Sequence, residues 1–215
     1  MTLVDKYALL PEEIDRQSLV MVAESLEGDE SEARLSPAER YVLHRIVRAE
    51  GDPAISADVR FANNAVDAGL KSLQDTRRVV TDVRMVQVGI SRAALSRRGV
   101  ETDCLIDAPT VAERARREET TRSVAAVREL APQMDGAVVA IGNAPTALLA
   151  LLDLIDSKQV SPAMVIGMPV GFVACPESKA ELAARVVPHI TILGRRGGSS
   201  AAAATVNALL DLLEE

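Results

Sequence analysis

The chain has 215 residues, 48% hydrophobic and 26% charged, with a formal net charge of −7. A chain this long buries roughly 70% of the surface it would expose unfolded, so it needs no covalent or metal staple. The acidic balance, with Trp 0, Tyr 2 and Phe 2, argues against nucleic acid, which calls for a basic surface and stacking rings. Two cysteines, Cys104 and Cys175, and two histidines, His44 and His189, give neither a disulfide framework nor a metal cluster. No charged-then-apolar leader opens the chain, and the apolar run 144–155 is too short to span a bilayer. A cytoplasmic protein without a membrane partner is expected.

In chain order, the first third reads helical. Ile14, Val22 and Leu26 recur at helical spacing over residues 11–26, and Gly28 stops the run. Ser36-Pro37-Ala38-Glu39 is a capping box that opens a second helix, which reaches Glu50 and stops at Gly51. A third helix is predicted over 56–73. Beyond it, apolar β-branched runs alternate with helical segments. Strands are predicted at 78–83, 103–106, 136–141, 163–167 and 190–193. Helices are predicted at 91–98, 111–130 (with a break near Thr120), 144–155, 177–186 and 199–213.

The strands are continuous apolar runs rather than alternating ones. They are therefore buried on both faces, which means a parallel sheet between helix layers. The expectation is an α/β, doubly wound parallel sheet of about five strands with a helical N-terminal extension. It forms one domain over 1–215, with the extension at 1–75 and the α/β core at 76–215. In such sheets ligands sit beyond the carboxyl ends of the strands.

Three loops fall there: 142–146 (GNAPT), 168–173 (MPVGFV) and 194–200 (GRRGGSS). Each joins glycine or proline to small or polar residues, so backbone amides can approach a ligand closely. The last loop, two arginines before Gly-Gly-Ser-Ser at a helix start, suits an anion, but it fits neither a dinucleotide nor a nucleoside-triphosphate motif. Glycines and a cap serving tight packing explain it equally well. In the second helix, Val42, Leu43, Ile46 and Val47 share one face. Tyr41, His44, Arg45 and Arg48 share the other, which reads either as a solvated basic face or as half of a site for something acidic.

Together these pieces resemble the precorrin-8X methylmutase (precorrin isomerase) family of cobalamin biosynthesis. The matching stretches are Ser18 in IDRQSLVMV, RIVRAEGD at 45–52, TDVRMVQVGI at 81–90, TTRSVAAV at 120–127, GNAPTALL at 142–149, GMPVGFV at 167–173 with ESK at 177–179, and GRRGGSSAAAATVNALL at 194–210. The resemblance implies a flavodoxin-like fold and a homodimer with its sites near the subunit interface. It implies an isomerase that moves a methyl group from C11 to C12 of the corrin ring of precorrin-8X, or of its cobalt-bearing counterpart. No cofactor or metal is implied. The substrate is a polycarboxylate tetrapyrrole, which suits arginines and loop amides.

Carried over residue by residue, the substrate-binding set is Ser18, Thr121, Arg122, Asn143, Thr146, Val170, Gly171, Arg195, Gly197, Gly198 and Ser199. At the helix end the family pattern is Arg-x-Ile-His-x-x-Gly, with the histidine as proton donor. This chain has Arg45 and Gly51 in place but Arg48 at the histidine position. The catalytic candidates are therefore Arg48, His44 one turn earlier, and Arg45. The alternative is a catalytically impaired corrinoid-binding relative. Cys175-Pro176 stands where small residues would be expected, and His189, at a strand start, reads as structural.

Overall fold

The computed structural model describes residues 10–213, so the sequence-derived bounds 1–215 and 1–75 reach past the described residues. The chain opens with helices α1 (Pro11–Ser25), α2 (Glu30–Ala33) and α3 (Pro37–Glu50). The capping box of α3 closes as the sequence suggests: Glu39 N–H donates to Ser36 Oγ at 3.3 Å, and Ser36 N–H to Glu39 Oε2 at 2.9 Å. Gly51 ends α3 in the left-handed conformation (φ 65°), where a side chain would be strained.

The third helix predicted over 56–73 is three elements instead. A 3₁₀ turn (Pro53–Asp58) leads into strand β1 (Val59–Ala62), and helix α4 (Ala65–Asp75) follows. Ile55, Val59 and Val66 carry the apolar spacing that mimicked a helix. Val59 and Phe61, however, belong to a short strand that pairs antiparallel with the last strand, Val59 opposite Ile192 and Ala62 opposite His189. Asn63 and Asn64, both left-handed (φ 56° and 55°), turn the chain out of β1, a conformation asparagine tolerates.

The core then runs β2 (Arg78–Thr81), α5 (Arg84–Gly89), α6 (Arg92–Arg98), β3 (Glu101–Asp103), α7 (Pro109–Arg117), α8 (Arg122–Leu130), β4 (Val138–Ile141), α9 (Pro145–Asp156), β5 (Met164–Gly167), α10 (Cys175–Ala183), β6 (His189–Ile192) and α11 (Ser199–Leu212). Most boundaries shift by a few residues from the sequence reading. Strand β3 ends where the sequence placed its start, and α5 was not anticipated. The break near Thr120 is real, separating α7 from α8.

The sheet has six strands in the order β1-β6-β5-β4-β2-β3. Every pairing except β1–β6 is parallel. Without β1, the parallel strands numbered in chain order run 2-1-3-4-5, the flavodoxin-like order, with its switch point between β2 and β4. Val138 and Ala140 of β4 face one core, with α3, α4, α5 and α11; Val139 and Ile141 face the other, with α8, α9 and α10. This two-sided burial explains why the strands read as unbroken apolar runs.

Helix α11 packs most extensively on α3. Its small-residue run lets it also approach α5 and the loop after β4 closely. A side chain on Gly89 would come within 2.8 Å of Ala203 Cβ, and one on Gly142 within 2.9 Å of Ala202 Cβ and 3.0 Å of Ser199 Cα.

His189, at the start of β6, is 1% exposed, and its Nδ1–H donates to Val187 O at 2.8 Å. Burial pushes its pKa below the ordinary value, against this hydrogen bond. The unfolded chain therefore takes up a proton near pH 6.5 that the folded chain refuses until lower pH. The stability His189 confers is complete above about pH 6.5 and falls as pH drops toward its folded value. Urea unfolding between pH 7 and 5 should show this loss, and His189→Gln should flatten that part of the profile; an unchanged slope would contradict it.

Candidate active site

The site builds on the last turn of α3. A groove of about 610 Å³ is lined by Arg45, Arg48 and Ala49 of α3, Met85 and Gly89 of α5, and Ser199, Ser200, Ala203, Ala204 and Asn207 of α11. Its floor is small residues, which let α3, α5 and α11 converge. Asn207 fixes the wall: its Nδ2 donates to Gly89 O at 3.0 Å and its Oδ1 accepts from Ser91 N–H at 2.8 Å.

Arg45 is held by its own helix and by α11. It donates to Asp211 Oδ2 at 2.7 Å and to Tyr41 Oη at 3.1 Å, while Tyr41 O–H donates to the same Asp211 oxygen at 3.1 Å. Burial raises the Tyr41 pKa, with Arg45 pulling the other way. Arg48 donates to Asp15 of α1. That partner is half exposed and sits on an added helix, so a carboxylate entering the groove can compete for Arg48.

His44 is not in the groove. Its Nε2 lies 2.5 Å from Glu32 Oε1, on the side of α3 that faces α2. One turn before Arg48 it starts from the same face of α3, but its side chain is taken up by Glu32 rather than turned to the groove. Ser18 donates to Ile14 O at 2.6 Å within α1, the ordinary bond of a serine to the carbonyl one turn back.

The other named residues gather at the carboxyl end of the sheet. The loops after β5 and β6 form one unit: Gly198 N–H donates to Met168 O at 2.8 Å and Gly171 N–H to Arg195 O at 3.2 Å. Gly197 must be glycine, because its φ is 133° and a side chain would meet Met168 O at 2.8 Å. Val170 Cγ1 lies against Gly198, and the Arg195 guanidinium stacks 5.3 Å from the exposed Phe172 ring. Thr121 caps α8 by accepting from Val124 N–H at 3.2 Å, and its hydroxyl lies 3.4 Å from that of Thr146. This contact brings the exposed Arg122 to the same end, beside Arg116 in a separate notch.

The sequence reading missed Asp82. It follows β2 at the switch point, is 1% exposed, and its carboxylate accepts from the N–H groups of Gly142, Asn143 and Ala144 at 2.9–3.0 Å. Burial pushes its pKa up while the three amides pull it down. Asp82 thus shapes the loop that carries Asn143 and Thr146. The sequence signal was an acid directly after an apolar strand, opposite a Gly-Asn loop. Among the described residues, no group of three or more His, Cys, Asp or Glu side chains could hold a metal ion. No helix among them is long and apolar enough to cross a membrane.

At the start of α11, the N–H groups of Ser199, Ser200 and Ala201 precede the first intrahelical bond, which Ala202 makes to Gly198 O at 3.1 Å. The Ser199 hydroxyl is buried without a partner. A doubly wound sheet with a groove beside it lined by Arg45, Arg48 and the first residues of α11 has the form of an α/β protein for an anionic small molecule. The chain belongs to the precorrin-8X methylmutase family, whose model matches residues 13–212. It is 39% identical over 199 residues to the cobalt-precorrin-8 methylmutase of Priestia megaterium, covering 93% of this chain and 87% of that protein. It is 41% identical over 167 residues to the precorrin-8X methylmutase of Pseudomonas aeruginosa, covering 77% and 80%. The crystal structure of the precorrin-8X methylmutase of Thermus thermophilus superposes with a TM-score of 0.85 at 39% identity, covering 94% of this chain and 96% of that one.

Asp82→Asn should place an amide N–H against the Gly142 N–H and leave that donor unsatisfied. The expected loss is about 1–3 kcal/mol, read by urea unfolding. Unchanged stability would show that the loop is held by something else.

Proposed function

We propose that the chain is a methylmutase that moves a methyl group from C11 to C12 of the corrin ring of precorrin-8X, or of cobalt-precorrin-8. The observation that carries this reading is the groove itself, lined by Arg48 of α3 and by Ser199 and Ser200 at the start of α11, in a family member matched over nearly its whole length. The methyl shift is a rearrangement within a conjugated ring, so the protein needs to hold the ring and stabilise charge as it develops. Ring carboxylates take the α11 N–H groups, the Ser199 hydroxyl and the arginines Arg48 and Arg122. Arg45, occupied by Asp211, positions the α3 wall.

Arg48 keeps its proton and cannot act as a general acid. It serves instead as a fixed positive charge beside the ring, stabilising charge electrostatically once substrate has displaced Asp15. His44, turned to Glu32, does not supply the proton in its place.

A second reading rests on the same residue. With arginine where the family pattern has histidine, the chain would hold a corrinoid and hand it on without isomerising it. We also take the enzyme to be a cytoplasmic homodimer. Phe172 and Val173 on the loop after β5, 80% and 87% exposed, and Met85 and Val88 of α5 offer apolar surface for a second copy.

Incubation of the purified chain with precorrin-8X, followed by absorbance, should show conversion to hydrogenobyrinic acid. Arg48→His should then change the rate by less than about tenfold. Tight binding of hydrogenobyrinic acid without turnover, with Arg48→His raising the rate by orders of magnitude, would establish the second reading instead. Light scattering of the same preparation should give twice the 22.9 kDa chain mass; a monomer mass would refute the dimer.

A further inference from the structure

Lys179 is the largest fully buried side chain in the molecule's described residues and is 0% exposed. It lies on α10, and its Nζ donates to Pro169 O at 3.1 Å and to Arg196 O at 2.7 Å. Those two carbonyls belong to the two glycine loops that follow β5 and β6. Cys175, one turn earlier on α10, adds a thiol bond to Pro169 O at 3.2 Å. Burial pushes the Lys179 amine down from its ordinary value.

A buried ammonium is costly, and an apolar side chain of similar length would fill the space without that cost. Nothing in the packing of α10 requires a charge. What the charge does is reinforce, from beneath, two segments that are otherwise joined by two backbone bonds, Gly198 N–H to Met168 O and Gly171 N–H to Arg195 O. Gly171, Gly197 and Gly198 have φ of 143°, 133° and 136°. Such conformations have no side chain to hold them, so contacts from outside the glycines set their shape. From the outer side Arg196 does part of this, donating to Asp52 Oδ2 at 2.5 Å, Asp58 Oδ2 at 2.8 Å and Ala54 O at 2.9 Å. Lys179 does it from the inner side, through the carbonyl of that same Arg196.

We propose that Lys179 is a positioning residue for substrate binding: its buried ammonium locks the 168–173 and 194–200 loops together, so that Ser199 and Ser200 at the start of α11 hold their place at the groove before a carboxylate arrives. This rests on the reading that the start of α11 receives a carboxylate of the substrate. A preformed cradle binds more tightly than one that must be ordered on binding, so the loss of Lys179 falls on affinity rather than on the chemical step.

The test is Lys179→Met in the full chain, studied well below its melting temperature. Amide exchange followed by mass spectrometry should speed up in segments 168–173 and 194–200 and stay unchanged in the sheet. KM for precorrin-8X should rise about tenfold, with kcat within about threefold of the parent. Lys179→Arg, which keeps N–H donors, should recover part of the KM. A folded Lys179→Met chain with native exchange and native KM would overturn the proposal, as would equal losses in kcat and KM. If Lys179→Met does not fold, Lys179→Gln takes its place with the same two readouts. A parent chain that binds but does not turn over precorrin-8X would contradict the assigned activity alone, because the exchange measurement judges Lys179 without substrate.

Discussion

A carboxylate and an ammonium, each shut off from water, hold the loops that make the site. Asp82 gathers three amides of the loop after β4. Lys179 gathers two carbonyls of the loops after β5 and β6. A parallel sheet buried on both faces leaves its functional residues on the strand-end loops, and glycine-rich loops have little rigidity of their own. Opposite charges placed under opposite backbone groups supply it. The carboxylate meets donors and the ammonium meets acceptors, so each buried charge is compensated by dipoles rather than by a counter-ion.

The layers above the sheet serve the same end. Small residues on α11 and glycines at 89 and 142 bring α3, α5 and α11 close enough to enclose a groove. The price of that closeness is that almost no side chain on the α11 floor can do chemistry. What lines the groove beside that floor are Ser199, Ser200 and Asn207 of α11, Met85 of α5, and Arg45 and Arg48 of α3. Under the proposed function, such a groove binds and orients a polyanion, with electrostatics in place of proton transfer.

Much of this was legible in the sequence. Continuous β-branched runs announced a doubly buried parallel sheet, and the capping box at Ser36 gave the start of α3. The edge strand Val59–Ala62 was not legible, because Ile55, Val59 and Val66 carry a helical period and only pairing with β6 makes a strand of it. Among site residues, Arg48 and Ser199 do meet across one groove. His44 illustrates the limit of spacing arguments. It shares a face with Arg48 on paper, yet Glu32 on α2 claims it, and nothing local to α3 foretells that contact. Asp82 and Lys179 were read past for a related reason. Their partners are main-chain groups dozens of residues or a whole loop away, and main-chain partners leave no trace in residue type.

The central claim is that a corrinoid carboxylate occupies the start of α11 while Arg48 leaves Asp15 for the ring. The structure of the chain with hydrogenobyrinic acid bound tests it most directly. The account predicts a ring carboxylate on the N–H groups of Ser199 to Ala201 and Arg48 turned from Asp15 toward the ligand. A corrinoid seated elsewhere, with the Arg48–Asp15 pair intact and the groove empty, would contradict it.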